Sequence, residues 1–222
     1  MAINKTTIEW SQYTWKITEG CNHGCSFCYV KRFRKDMTPK FYPDRINEPY
    51  RLKKSSLIFV ANTGDLFGDW QTGTDIRRVL DVIDKCNKHI FQVLTKNPAR
   101  LTDFNFPDNC WVGTSIESQD KLIRLDYLKK CIANVKFVSF EPLKGSIECD
   151  LTGLDWVIIG PESVGNASIP LEPENARKWA KPLVEAVRKA SIPLFIKPCG
   201  GWWPEEIREM PTAFTCWQET NK

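Results

Sequence analysis

Seven short runs of apolar, β-branched and aromatic residues punctuate the chain, and they constrain its fold more than any other feature. They lie at Thr14–Thr18, Leu57–Asn62, Phe91–Thr95, Trp111–Ser115, Lys136–Phe140, Trp156–Gly160 and Pro193–Lys197. Nearly all are continuous rather than alternating, the pattern of strands buried on both faces of a parallel sheet. Helical spacing fills the intervals. Thr74–Lys88 brings Ile76, Val79, Leu80, Ile83 and Cys86 to one face, with Thr74 as the expected N-cap. Gln119–Ile132 does the same with Leu122, Leu125, Leu128 and Ile132, and Glu172–Ala190 with Ala176, Trp179, Leu183 and Val187. Pro182 should kink or split that last helix.

Strand and helix in alternation predict an α/β fold with a parallel sheet. The units are too few for a closed eightfold barrel, and no full helix fits between Lys136–Phe140 and Trp156–Gly160. A partial (β/α)6-7 TIM-like barrel with parallel strands suits the pattern better than a doubly wound sheet. Met37–Tyr50, with Pro39, Pro43 and Pro49, reads as an irregular loop. The 222 residues read as one domain, with 1–13 an N-terminal extension and 198–222, carrying Trp202, Trp203 and Trp217, a C-terminal cap.

No apolar run approaches the roughly 20 residues of a membrane span. Met1–Trp10 holds no hydrophobic signal core, so neither membrane insertion nor export is expected and the cytoplasm is the natural compartment. There thiols stay reduced, and the odd count of nine cysteines would strand one in any disulfide framework. Cys86, Cys110, Cys131, Cys149, Cys199 and Cys216 are scattered and read as small buried hydrophobes. Cys21, Cys25 and Cys28 are not scattered. Their C-x3-C-x2-C loop, Gly20 to Tyr29, can wrap one face of an inorganic core. A fully coordinated [4Fe–4S] cluster takes four cysteines, so three would leave one iron open to a substrate-like ligand. Zinc with His23 as fourth ligand is the alternative, although no second cysteine pair follows. His89, just before a strand, reads as a surface or core histidine.

Charge is placed unevenly. Residues 31–54 hold nine Lys and Arg against three Asp and Glu, an excess of +6 in a chain of net +4. Lys31, Arg32, Arg34 and Lys35 follow the last clustered cysteine directly, where a polyanion such as nucleic acid could be met. A solvated basic loop is the plain alternative.

With Cys21, Cys25, Phe27 and Cys28 in this order, the chain resembles the radical S-adenosylmethionine (SAM) superfamily. Ile8-Glu9-Trp10, Gly64-Asp65-Leu66-Phe67, Val93 to Pro98, Ser115-Ile116-Glu117, Ser139 to Leu143 and Gly160-Pro161-Glu162-Ser163 are similar to a short, phage-associated branch of it. The resemblance implies a [4Fe–4S] cluster on the three cysteines and SAM chelated at the open iron. It also implies reductive cleavage, fed by an external donor such as flavodoxin or ferredoxin, to a 5′-deoxyadenosyl radical that abstracts hydrogen from substrate. Phe27 would lie near the adenine, Gly64 and Asp65 at the SAM ammonium, Lys96 at its carboxylate and Ser115 and Glu117 at the ribose, with Glu141 beside the cofactor. Lys197 and Glu162 would face the substrate, and Cys199 could donate hydrogen to a substrate radical.

Substrate class stays open at this level. The basic segment, the nine tryptophans and the phage-associated resemblance favour a base in nucleic acid, modified or rearranged in an isomerase-type reaction, for instance a hypermodified thymidine in phage DNA. A free phosphorylated or carboxylated small molecule would use the same charges, and peptide maturation ranks third. A non-catalytic Fe–S electron-transfer or redox-sensing protein is the alternative of another class.

Overall fold

The computed structural model describes residues 3–164, 169–170 and 172–220; Met1, Ala2, Asn221 and Lys222, the outer ends of the expected extension and cap, lie outside them. The chain packs as two compact units, Met1–Gly113 with Lys130–Asn134, and Thr114–Lys129 with Val135–Lys222.

In the first unit the N-terminal extension carries a strand, β1 (Ile3–Lys5), antiparallel to β2 (Tyr13–Trp15) with Ile3 opposite Trp15. The run expected as one strand at Thr14–Thr18 ends early, and β3 (Thr18–Glu19) leaves it to pair with β4 (Lys40–Phe41). Met37–Tyr50 is thus more ordered than a loop: β4 is followed by 3-10 turns at Pro43–Arg45 and Glu48–Arg51. Their prolines start these turns, where a missing N–H costs nothing. β2 runs parallel to β5 (Leu57–Val60), and β5 parallel to β6 (Ile90–Thr95). All four β5 residues are buried, as the continuous apolar run requires.

Helix α1 (Gly73–Lys85) crosses from β5 to β6 and buries Ile76, Val79, Leu80, Val82 and Ile83. Its cap is Thr72 and not Thr74: the Thr72 hydroxyl accepts from the Asp75 amide at 3.1 Å. Two residues decide this, because only an extended Ncap residue can turn its oxygen back onto the third helical amide. His89 sits in the core with its ring edge-on to Phe91. Next in chain order is β7 (Cys110–Ser115), every residue buried.

In the second unit, α2 (Ile123–Lys130) buries Leu125 and Leu128, preceded by a 3-10 turn at Gln119–Lys121. The helix stops short of Ile132, which is 84% exposed and not part of an apolar face. β8 (Val135–Leu143), β9 (Trp156–Pro161) and β12 (Leu194–Ile196) pair in parallel, β9 in the middle. Between β9 and β12 come the short antiparallel strands β10 (Ser163–Val164) and β11 (Ile169–Pro170) and then α3 (Pro173–Lys189). Pro182 does not split α3. It lies on the exposed face, as does Lys178, whose carbonyl loses its partner there and can be hydrated. Trp156 anchors the core, its ring 5.5 Å from Phe137 and its indole N–H donating to the Glu209 carbonyl. The C-terminal segment does not merely cap. Ile207–Glu209 runs antiparallel beside β12, with Ile196 N–H to Ile207 C=O and Glu209 N–H to Leu194 C=O, before α4 (Thr212–Thr220).

Candidate active site

The cysteine loop hangs from two glycines. Gly20, at φ +79°, donates to the Thr63 carbonyl at 3.0 Å and bridges Gly64, while the Cys21 amide donates to the Met37 carbonyl. A Cβ at Gly20 would strike the Thr38 and Met37 carbonyls, and one at Gly64 would lie 3.0 Å from the Thr18 carbonyl oxygen. Loop stem and β5 turn can therefore lie against each other only as bare backbone.

From this stem Cys21, Cys25 and Cys28 project half-exposed, none of them in a disulfide. Burial pushes the Cys21 thiol up to about 11, the charges of Asp65, Cys25 and Cys28 adding to it and the His23 amide opposing. Lys31 reaches back, donating to the Cys25 carbonyl at 2.9 Å. Tyr29, on the 3-10 turn Tyr29–Arg32 that follows, donates its hydroxyl to the Asn62 carbonyl at 2.6 Å.

His23 is not a spare metal ligand. Its Nε2 lies 2.7 Å from Asp65 Oδ2, and its ring stands edge-on to Trp70 at 5.0 Å. Among the described residues no three His, Cys, Asp or Glu side chains converge to hold a single metal ion. That argues against the zinc arrangement. It does not argue against a cubane, whose cysteines each bind a different iron and need not converge on a point.

Asp65 is the hub of this unit. Besides His23, its carboxylate accepts from the Thr95 hydroxyl at 2.9 Å, the Lys96 amide at 2.9 Å and the Phe67 amide at 2.9 Å, and the residue is 4% exposed. The side chain expected to meet the SAM ammonium is thus occupied in positioning the loop and the end of β6. Two buried acceptors next to it in the chain have no partner among the described residues: Asn62 Oδ1 and Thr63 Oγ1. Lys96 extends over the Phe27 ring, its Nζ 5.7 Å from the centroid.

The basic segment is partly neutralised from within. Glu19 receives Arg34 at 2.5 Å and Arg45 at 3.0 Å. Burial works against the Glu19 charge, but the bonds and charges of those two guanidiniums outweigh it and hold the carboxyl below its usual range. Arg34, expected to face a polyanion, is therefore committed to Glu19. Arg32 and Lys35 are exposed, with no hydrogen bond or ion pair among the described residues.

The second unit carries the remaining expected residues as ion pairs at strand ends. Glu117, 3% exposed just beyond β7, takes Arg124 of α2 at 2.8 Å, and Arg124 also donates to the Ser115 carbonyl at 2.9 Å. Lys197 beyond β12 meets Glu141 of β8 at 2.6 Å, so Glu141 and Lys197, given separate roles by sequence, act here as one pair. Gly160 of β9 makes room for them: a Cβ there would lie 3.0 Å from Lys197 Cδ and 3.2 Å from Glu141 Cγ. Glu162 meets Lys144 at 2.7 Å. Cys199 is buried in the 3-10 turn Cys199–Gly201, ahead of Trp202, whose indole donates to the Lys197 carbonyl.

Sequence reasoning missed Arg124, Lys144 and the tie of His23 to Asp65. Arg124 stands seven residues after Glu117, across the 3-10 turn that leads into α2, and this closeness along the chain is the signal that could have found it. Lys144 and the His23 tie left no such signal.

Comparison with known proteins bears first on the fold. Spore photoproduct lyase complexed with dinucleoside spore photoproduct matches 74% of this chain and 60% of that one at 14% identity, TM-score 0.56. A mutant of the same lyase with bound AdoMet and dinucleoside spore photoproduct matches equally far at 14% identity, TM-score 0.58. The chain thus spans about three fifths of the solved chains it matches. This likeness shows the fold, the parallel-stranded partial barrel expected of the radical SAM type. The ribosomal protein uS12 methylthiotransferase RimO of Hahella chejuensis is 43% identical over 56 residues, 24% of this chain and 13% of that protein. As to family, residues 5–215 match the one described as "Protein of unknown function (DUF5131)", and the chain belongs to it.

Proposed function

We propose that this protein is a radical SAM enzyme acting on a base in nucleic acid. The observation that carries the reading is the cysteine loop: three half-exposed cysteines, none in a disulfide, on one glycine-hinged loop, with His23 held by Asp65. Cys21, Cys25 and Cys28 would hold a [4Fe–4S] cluster. Bound there, cluster and SAM supply reductive cleavage of the sulfonium and a 5′-deoxyadenosyl radical able to abstract hydrogen.

The residues of the chain do the rest. Asn62 and Thr63 offer buried acceptors without partners among the described residues, the donor-seeking groups a SAM ammonium would satisfy. Phe27 offers a ring face for adenine, with Lys96 above it to meet a carboxylate. Asp65 holds the loop and the β6 end in register through four hydrogen bonds. Arg124 fixes the Glu117 carboxylate, the group the resemblance implies for ribose hydroxyls. Lys197 with Glu141, and Lys144 with Glu162, present paired charge to a polar substrate.

The nucleic-acid reading draws support from the basic segment after the loop and from the fold's likeness to a lyase complexed with a dinucleoside photoproduct. Isomerase-type rearrangement of a modified thymidine in phage DNA is the form we favour, in the cytoplasm of a prokaryotic or phage-infected cell, with flavodoxin or ferredoxin as donor. Among the described residues no helix is long and apolar enough to cross a membrane.

The test is anaerobic reconstitution with iron and sulfide, then dithionite and SAM. A brown protein with roughly four irons per chain should release 5′-deoxyadenosine, and a deuterated oligonucleotide substrate should pass its label into that product. Cys21→Ala, Cys25→Ala or Cys28→Ala should each lose colour and cleavage together, whereas Cys110→Ser should keep both. A colourless protein with stoichiometric zinc would refute the reading.

A further inference from the structure

Beside the cluster loop stands a surface that the proposed chemistry does not use. Large apolar side chains are usually hidden, yet Tyr29 is 48% and Phe33 67% exposed, immediately after the last clustered cysteine. Their rings are 6.0 Å apart, centroid to centroid, at 51°. The Tyr29 ring cannot swing away, because its hydroxyl is held by the Asn62 carbonyl at 2.6 Å. Its backbone is held too: the 3-10 turn closes from Lys31 N–H to the Cys28 carbonyl, with Val30 buried beneath. A pair of exposed rings, Tyr29 anchored through its hydroxyl, sets apolar surface against water and contributes nothing to the core.

Charge defines what such rings would meet. Arg32 lies between them in sequence and Lys35 two residues beyond Phe33, both exposed and neither engaged by an acidic side chain among the described residues. The neighbouring bases are spent, Arg34 on Glu19 and Lys31 on the Cys25 carbonyl. Aromatic faces alternating with available cations match a strand of flat bases and phosphates, since bases stack on rings and phosphates take the charge. A protein partner would want apolar bulk without this cationic frame. Duplex DNA hides its base faces and offers nothing to stack.

We propose that Tyr29 and Phe33 form a stacking platform for an unpaired base of a nucleic-acid strand, with Arg32 and Lys35 taking the adjoining phosphates. This rests on the nucleic-acid reading above and narrows it to single-stranded or locally opened substrate.

The test is fluorescence anisotropy with the full reconstituted chain and a fluorescein-labelled oligo-dT of about 12 nucleotides, within the length one such groove covers, against a duplex of equal length. Wild type should bind the single strand more tightly. Phe33→Ala should weaken that binding roughly tenfold, as loss of one stacked base does, without changing the salt slope. Phe33→Trp should keep the affinity and show indole quenching on binding. Arg32→Gln with Lys35→Gln should flatten the log–log salt slope by about 1.4, two phosphates of a single strand. If wild type binds with salt dependence but Phe33→Ala binds equally well and Phe33→Trp is not quenched, the platform is wrong while the nucleic-acid reading stands. If no oligonucleotide binds in a salt-dependent way, both fall.

Discussion

At the scale of single residues, the molecule turns polar groups to structural use wherever burial makes them costly. Asp65 shows this most fully: a carboxylate at 4% exposure is tolerable because four donors surround it. His89 is the opposite case. Burial first, and the charge of Lys88 second, lower it from 6.5 to about 4, with the carbonyls of Pro49 and Leu52 opposing. The folded chain therefore resists a proton that the unfolded chain accepts. Stability is full above pH 6.5 and falls as pH drops from 6.5 towards 4, below which both states are protonated. The loss is on the order of 3 kcal/mol. His89→Gln should flatten that part of the curve, measured as urea midpoint against pH. An unchanged slope between pH 6.5 and 4 would show that another group is responsible.

Among elements, the helices separate what periodicity can tell from what it cannot. For α1 the apolar spacing located the body of the helix, yet it could not choose between Thr72 and Thr74 as cap, both of them good cap residues. The structure chooses Thr72. Thr72→Ala should cost about 1 kcal/mol in chemical denaturation, and Thr74→Ala, exposed within the first turn, only a few tenths. Equal losses would contradict the observed cap. Pro182 teaches a related lesson in α3: a proline is read from sequence as a break, but its cost depends on which face carries the lost hydrogen bond. Here that face is exposed to water.

For the molecule as a whole, the open edge of β12 is the exposed liability of the second unit, and Ile207–Glu209 covers it. Glu209 is tied in four ways: its carboxylate forks with Arg188 at 2.6 and 2.7 Å and accepts from the Leu194 amide, its carbonyl takes the Trp156 indole, and its N–H meets the Leu194 carbonyl. Ending the chain before Glu206 should therefore strip the edge, orphan a buried indole N–H and give a protein that self-associates by light scattering. Ending it before Thr212 keeps Ile207–Glu209 on the edge and should scatter as the full chain does. A monomeric, equally stable product from the shorter chain would show that the edge needs no cover.

The order of amino acids alone was enough to specify the set of parallel strands, their succession along the chain and the cysteine loop. Strands buried on both faces demand unbroken apolar runs, and a loop of eight residues carries its own spacing, so both signals are local. All seven runs became strands within a few residues of the expected limits, apart from the first, which Ile17 and Thr18 turn out of line into β3. How the polar side chains are spent was settled by folding in three dimensions. That Asp65 holds His23, that Glu19 withdraws Arg34 and Arg45, and that Lys197 closes on Glu141 across 56 residues of chain all depend on distance in space. A charge looks the same in sequence whether it awaits a ligand or already has a partner, because electrostatic pairing reads separation through the fold and not along the chain.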